Sequence, residues 1–175
     1  MRISLATLKD LENLNDNDIR HLRETGYNGQ HAHPFPKNFP FEKEKMMEQK
    51  MKGWSAELGS VHWSRSFLLI ENNKIMGHLN LKNVFLGTLH RAELGMGIEE
   101  SMRGLGAGKL LMKTALAWAW EQEFLKWIDL GVFSHNLPAR KLYKSFGFVE
   151  ICTVVDLIRV DGVSIDDVKM VLKLR

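Results

Sequence analysis

Residues 92–122 read AELGMGIEESMRGLGAGKLLMKTALAWAWEQ, and this stretch decides the fold. An apolar, strand-like run closes at Ile98, and a short polar connection covers Glu99 to Met102. Arg103, Gly104, Gly106 and Gly108 then stand directly before a long helical run. Glycines at a strand-to-helix junction let backbone N–H groups approach a ligand, and the start of a helix carries unpaired donors and a partial positive charge. Arg103 adds a fixed cation whose donors suit phosphate. A phosphate-bearing ligand is therefore expected before any reaction is. A P-loop would need G-x-x-x-x-G-K-[ST]; Gly108-Lys109 is present, but Arg103 takes its first position and Leu110 its last. A dinucleotide fingerprint starting at Gly106 lacks its third glycine, and one starting at Gly95 ends in Glu100.

Upstream, residues 2–6 (RISLA) read as a short strand, followed by a helix through Leu11, Leu14, Ile19 and Leu22 that Gly26 stops. Asn28 to Pro40 holds three of the four prolines and reads as a stiff loop. A charged helix from Phe41 to Leu58 carries Met46, Met47, Met51, Trp54 and Leu58 as its apolar members. Three strands follow: Ser66–Glu71, then Ile75, Gly77, Leu79 and Leu81 alternating with polar neighbours, then His90–Ile98. Asn72-Asn73 is the turn between the first two.

Downstream, the helix from Gly106 to about Glu123 is apolar on most sides, which predicts burial against a sheet and a second layer. Trp127–Phe133 is another strand. Asn136–Ser145 is a short helix with Pro138 in its first turn, and Gly147 ends it. Phe148–Val160 and Val163–Leu174 form a hairpin turned by Asp161-Gly162. The fold class is α/β (α+β): one domain over 1–175, a mixed, mostly antiparallel sheet of about six to seven strands flanked by about four helices.

The 175 residues suffice for one domain with a sizeable core. Lys and Arg number 24 against 21 Asp and Glu, a net charge of +3 that is too small and scattered for nucleic-acid binding. Cys152 is the single cysteine, which rules out an intramolecular disulfide; it is expected as a small core residue. Met1–Asp10 has no signal-peptide pattern, and no apolar stretch approaches a membrane span, so a cytoplasmic protein without membrane contact is expected. His31 and His33 are too few for a metal site, and no metal is expected.

Two motifs carry a family resemblance. Arg103-Gly104-Leu105-Gly106-Ala107-Gly108 resembles the [RQ]-x-x-G-x-[GA] pyrophosphate loop of the GNAT N-acetyltransferase superfamily. Asn136 to Phe148, NLPARKLYKSFGF, resembles that family's N-x-x-A-x-x-L-Y-x-x-x-G-F signature, in the expected order. The resemblance implies splayed central strands with acyl-CoA in the gap. Backbone groups of Met96, Gly97 and Ile98 would pair with pantetheine, and N–H groups from Arg103 through Lys109 would hold the pyrophosphate. Asn136 would touch the cofactor as well as cap its helix. Acetyl-CoA is the implied co-substrate, and a small-molecule amine or a protein N-terminus the implied acceptor.

Amide formation from a thioester poses two proton problems. An amine with a pKa near ~10.4 must shed a proton before attack, and the leaving thiolate benefits from a donor. Tyr143 matches the family's usual general-acid position. For the base, Glu93 in the strand AELGMGI comes first, with His90 or a bound water as alternatives. A backbone N–H near Met96 or Ile98 would polarise the thioester carbonyl. His31, His33, Phe35 and Phe39 are expected to border the acceptor. The hairpin edge offers a surface for a homodimer. A non-catalytic acyl-CoA sensor of the same fold is the competing expectation.

Overall fold

Alternation along the strands sorts the side chains onto two faces of one sheet, and a different set of helices covers each face. The computed structural model describes residues 1–24, 33–36 and 38–175. Its elements run β1 (Arg2–Leu5), α1 (Leu11–Leu22), α2 (Lys43–Ser55), β2 (Ser64–Glu71), β3 (Lys74–Lys82) and β4 (Arg91–Ile98). They continue as α3 (Ala107–Glu121), β5 (Trp127–Phe133), α4 (Leu137–Ser145), β6 (Val149–Val160) and β7 (Val163–Lys173). The seven strands lie in the order β1-β2-β3-β4-β5-β7-β6. Every pairing is antiparallel except β4 with β5.

Phe67, Leu69, Leu79, Leu81, Ala92 and Leu94 pack on Leu111, Met112, Ala115 and Ala119 of α3. Leu68 points the other way and packs with Ile75 on Leu14 of α1, beside Trp54 of α2. A simple alternation would place Ile75 with Leu79. The register instead jumps from Leu69↔Gly77 to Ile70↔Ile75, so Met76 is an extra residue that turns Ile75 to the α1 face.

Two further expectations are corrected. The helix α3 is buried on one side only: Trp120 is 57% exposed, its ring under the Arg175 guanidinium at 5.7 Å. An apolar surface flanked by a long cation needs no second layer. Cys152 is exposed, because β6 is an edge strand and its register with β7 breaks between Glu150 and Cys152. The Gly26 stop and His31 lie outside the described residues.

Candidate active site

The parallel pair at the centre of the sheet is short. β4 and β5 are in register only at Arg91↔Trp127, Ala92↔Ile128 and Glu93↔Asp129. Beyond that point β4 stays on β3 as far as Ile98↔Gly77, and β5 stays on β7 as far as Phe133↔Asp167. Residues 94–98 and 130–133 thus part like the arms of a V, with main-chain groups that no neighbouring strand in the gap satisfies. Such groups demand a partner. The closed end is fastened by Arg91, whose Nε and Nη2 donate to Asp129 at 2.6 and 2.5 Å and whose guanidinium lies 5.0 Å from the Trp127 ring centre.

At the open end, three elements converge on Gly108. A Cβ there would stand 2.8 Å from a Leu142 methyl of α4 and 3.5 Å from Ile98 of β4, so glycine lets the start of α3 sit this close without moving the Leu142 side chain. Gly104 and Gly106 differ in kind. Their φ angles are +76° and +83°, and a Cβ on either would meet nothing within 4 Å. The loop is therefore left-handed and opens onto free space, and no side chain caps the N-terminus of α3. Leu105 and Lys109 are exposed there while Ala107 is buried. This arrangement fits a polyphosphate: bare backbone, uncapped helix donors and two cations.

Arg103 donates from Nε to the Ile98 carbonyl at 2.9 Å and from Nη2 to Glu24 at 2.5 Å. Glu24 also accepts from the Glu100 amide. Behind the loop, buried Glu99 accepts from Asn17 at 2.7 Å and from Arg20 Nε at 2.9 Å. The end of α1 is thereby bolted to the segment that turns from β4 into the glycine loop.

Tyr143 is 6% exposed on α4, beside Phe148 at 5.9 Å between ring centres, and burial pushes its phenol up to about 12. It therefore stays protonated, as a donor must. Asn136 caps α4 by accepting from the Ala139 amide at 3.2 Å. Glu93 lies at the paired end of the V, exposed, with Lys82 across the strand at 3.6 Å. It is five residues from Ile98, roughly 16 Å along an extended strand. His90 is further back still, exposed, its carbonyl accepting from the Lys126 and Trp127 amides.

In the 33–41 segment, His33 Nε2 stands 2.5 Å from the Leu22 carbonyl. Phe35 and Phe39 lie 4.8 Å apart, and Phe41 is 5.0 Å from Phe39. Reading the sequence missed His21, His78 and Asp18, which the fold gathers against Gly97. The one local signal was the spacing of Asp18 and His21, three apart on α1. Among the described residues no group of three or more His, Cys, Asp or Glu is placed to hold a metal. No helix among them is long and apolar enough to cross a membrane.

Comparison with solved structures returns this same architecture over nearly the whole chain. An acetyltransferase of the GNAT family from Streptococcus pneumoniae superposes with a TM-score of 0.79 at 23% identity, covering 98% of both chains. A ribosomal-protein-alanine N-acetyltransferase from Brucella melitensis gives 0.78 at 19%, covering 99% of both. A structure from Salmonella typhimurium, described with its cofactor acetyl-CoA, gives 0.78 at 17%, covering 99% of this chain and 94% of that one. No curated protein matches the sequence. The model of the Acetyltransferase (GNAT) family matches residues 20–148, which takes in the V, the glycine loop and α4. This chain belongs to the GNAT acetyltransferase family.

Proposed function

We propose that the protein transfers an acetyl group from acetyl-CoA directly to a primary amine, borne by a small molecule or a protein N-terminus. The observation that carries this reading is the V between β4 and β5, opening onto the left-handed glycine loop. The pantetheine arm of CoA carries amides that match unpaired strand edges, and the pyrophosphate of CoA matches uncapped helix donors. The pyrophosphate rests on the backbone from Arg103 to Lys109, the pantetheine on Met96, Gly97 and Ile98, and Asn136 contacts the cofactor at the start of α4. A backbone N–H near Met96 or Ile98 holds the developing oxyanion.

Tyr143 protonates the departing sulfur, and its raised pKa keeps the proton available throughout the neutral range. Positioning of the amine against the thioester supplies much of the rate, so no covalent intermediate is required. For Glu93 to receive the amine proton directly, the acceptor would have to lie at the paired end of β4. Its exposed ion pair with Lys82 suits instead a structural charge or a water-relayed role.

The test is release of CoA from acetyl-CoA over a panel of amines, N-terminal peptides and amino sugars. Acceleration by one acceptor class with formation of its acetamide is expected. Tight CoA binding without turnover on any acceptor would replace this reading with that of an acyl-CoA sensor.

A further inference from the structure

On the α1 face of the sheet, β4 presents glycine at two successive inward positions. A Cβ on Gly95 would meet nothing within 4 Å, whereas one on Gly97 would stand 3.1 Å from both Nδ1 and Cε1 of His21. Bare strand backbone thus lies open, with an imidazole edge seated at its far end. That place is the open arm of the V, beside the backbone assigned to the thioester. A methyl at position 97 would press on the ring and require it to shift by a few tenths of an ångström.

His21 does not stand alone. The register His78↔Gly97 puts His78 on the same face, and its Nδ1 lies 3.3 Å from Oδ1 of Asp18. Asp18 precedes His21 by one turn of α1 and is ion-paired with Lys50 of α2 at 2.8 Å. The His33 ring lies 6.2 Å from that of His21. Burial, then His78, Arg103 and His33, lower the His21 pKa to about 4, with Asp18 opposing them. The imidazole is therefore neutral at physiological pH, with a lone pair to offer. The same desolvation that disfavours its charged form also disfavours an ammonium brought beside it.

We infer that His21 is the catalytic base that takes the first proton from the acceptor ammonium. This rests on the acetyl-transfer reading above and names the residue that reading lacks. One N–H proton passes to His21 and from there to solvent. The freed lone pair forms the N–C bond, the C–S bond breaks, and Tyr143 gives its proton to the sulfur. The second N–H proton of the adduct restores Tyr143, so one proton is released per amide made. Phosphates bound at Arg103 answer one of the cations that depress His21, so cofactor binding raises its proton affinity.

The experiment compares wild type, His21→Gln, His21→Ala and Gly97→Ala in acetyl transfer across pH, with CoA affinity measured by calorimetry. Both His21 variants are expected to lose on the order of 100-fold in kcat. Their CoA affinity should stay within about threefold. Added imidazole should restore part of the His21→Ala loss. Gly97→Ala, which keeps every titratable group and nudges the ring by a few tenths of an ångström, should slow turnover by a smaller factor than either His21 variant. Wild-type activity with unchanged kcat in the His21 variants overturns the inference alone. So does a loss that imidazole leaves unrescued and that leaves the pH profile unmoved. A wild type inactive on every amine overturns both the inference and the acetyl-transfer reading.

Discussion

Arg103 and Glu24 face each other at 2.5 Å across the mouth of the glycine loop, and the same carboxylate accepts the Glu100 amide. Any phosphate that Arg103 engages must compete with that carboxylate. Arg103→Ala is expected to weaken CoA binding about tenfold, the loss of a charge-assisted contact. Glu24→Gln removes the competitor and is expected to tighten binding a few-fold. Calorimetry with CoA decides both, and an unchanged affinity for Arg103→Ala would refute the clamp.

Tyr143→Phe is expected to lower kcat about 100-fold while leaving the KM for acetyl-CoA little changed. A turnover rate equal to wild type across pH would remove Tyr143 from the mechanism. The same variant carries a stability signature. The folded-state pKa of about 12 exceeds the unfolded value of 10.0, so above pH 10 the unfolded chain has lost a proton that the folded one keeps. Stability from this group is whole below pH 10 and is lost towards pH 12. Denaturant melts in that window should fall less steeply for Tyr143→Phe than for wild type.

Glu150 ties α4 to β6 through Arg140 at 2.8 Å and Lys144 at 2.9 Å. Hydrogen bonds from Arg140 and then Lys144 lower its carboxyl from 4.5 to about 2. A depressed carboxyl stabilises above its unfolded pKa, and the contribution fades as pH falls from about 4.5 to about 2. Glu150→Gln should abolish that part of the acid-side fall in Tm and leave activity at neutral pH unchanged. An acid limb identical to wild type would show the pair to be inert.

Glu99 is 7% exposed and joins β4 to α1 through Asn17 and Arg20. Glu99→Ala leaves two donors facing a void and should cost about 3 kcal/mol, read from urea denaturation. CoA affinity should fall with it, because the glycine loop begins at the next turn. A cost below about 1 kcal/mol would place this network among the weak surface pairs.

Much of this was written locally. The turn at Asn72-Asn73, the hairpin at Asp161-Gly162 and the glycine loop depend on backbone preferences of the residues themselves, and both motifs fall where α3 and α4 begin. What sequence could not give were the contacts between elements far apart in the chain. The bulge at Met76, which turns Ile75 over, depends on how β3 pairs with β2. The exposure of Cys152 depends on β6 lying at the edge. Glu93 stands at the paired end of its strand, a placement set by where β5 leaves β4. His21 is 76 positions from Gly97, and only the packing of α1 on the sheet brings them together.

The three residue pairs that join β4 to β5 have a mechanical meaning. The single sheet falls into two halves, β1 to β4 and β5 to β7, that share a seam three rungs long and riveted by Arg91 and Asp129. On the proposed reading, a pantetheine lying in the V would act as an eighth strand, its amides stitching the halves into one continuous surface. Rigidity across the middle of the fold would then be lent by the cofactor and withdrawn when it leaves. Hydrogen exchange at those amides of residues 94–98 that face the gap and not β3 should be fast in the free protein, slow with CoA bound, and fast again once CoA has left.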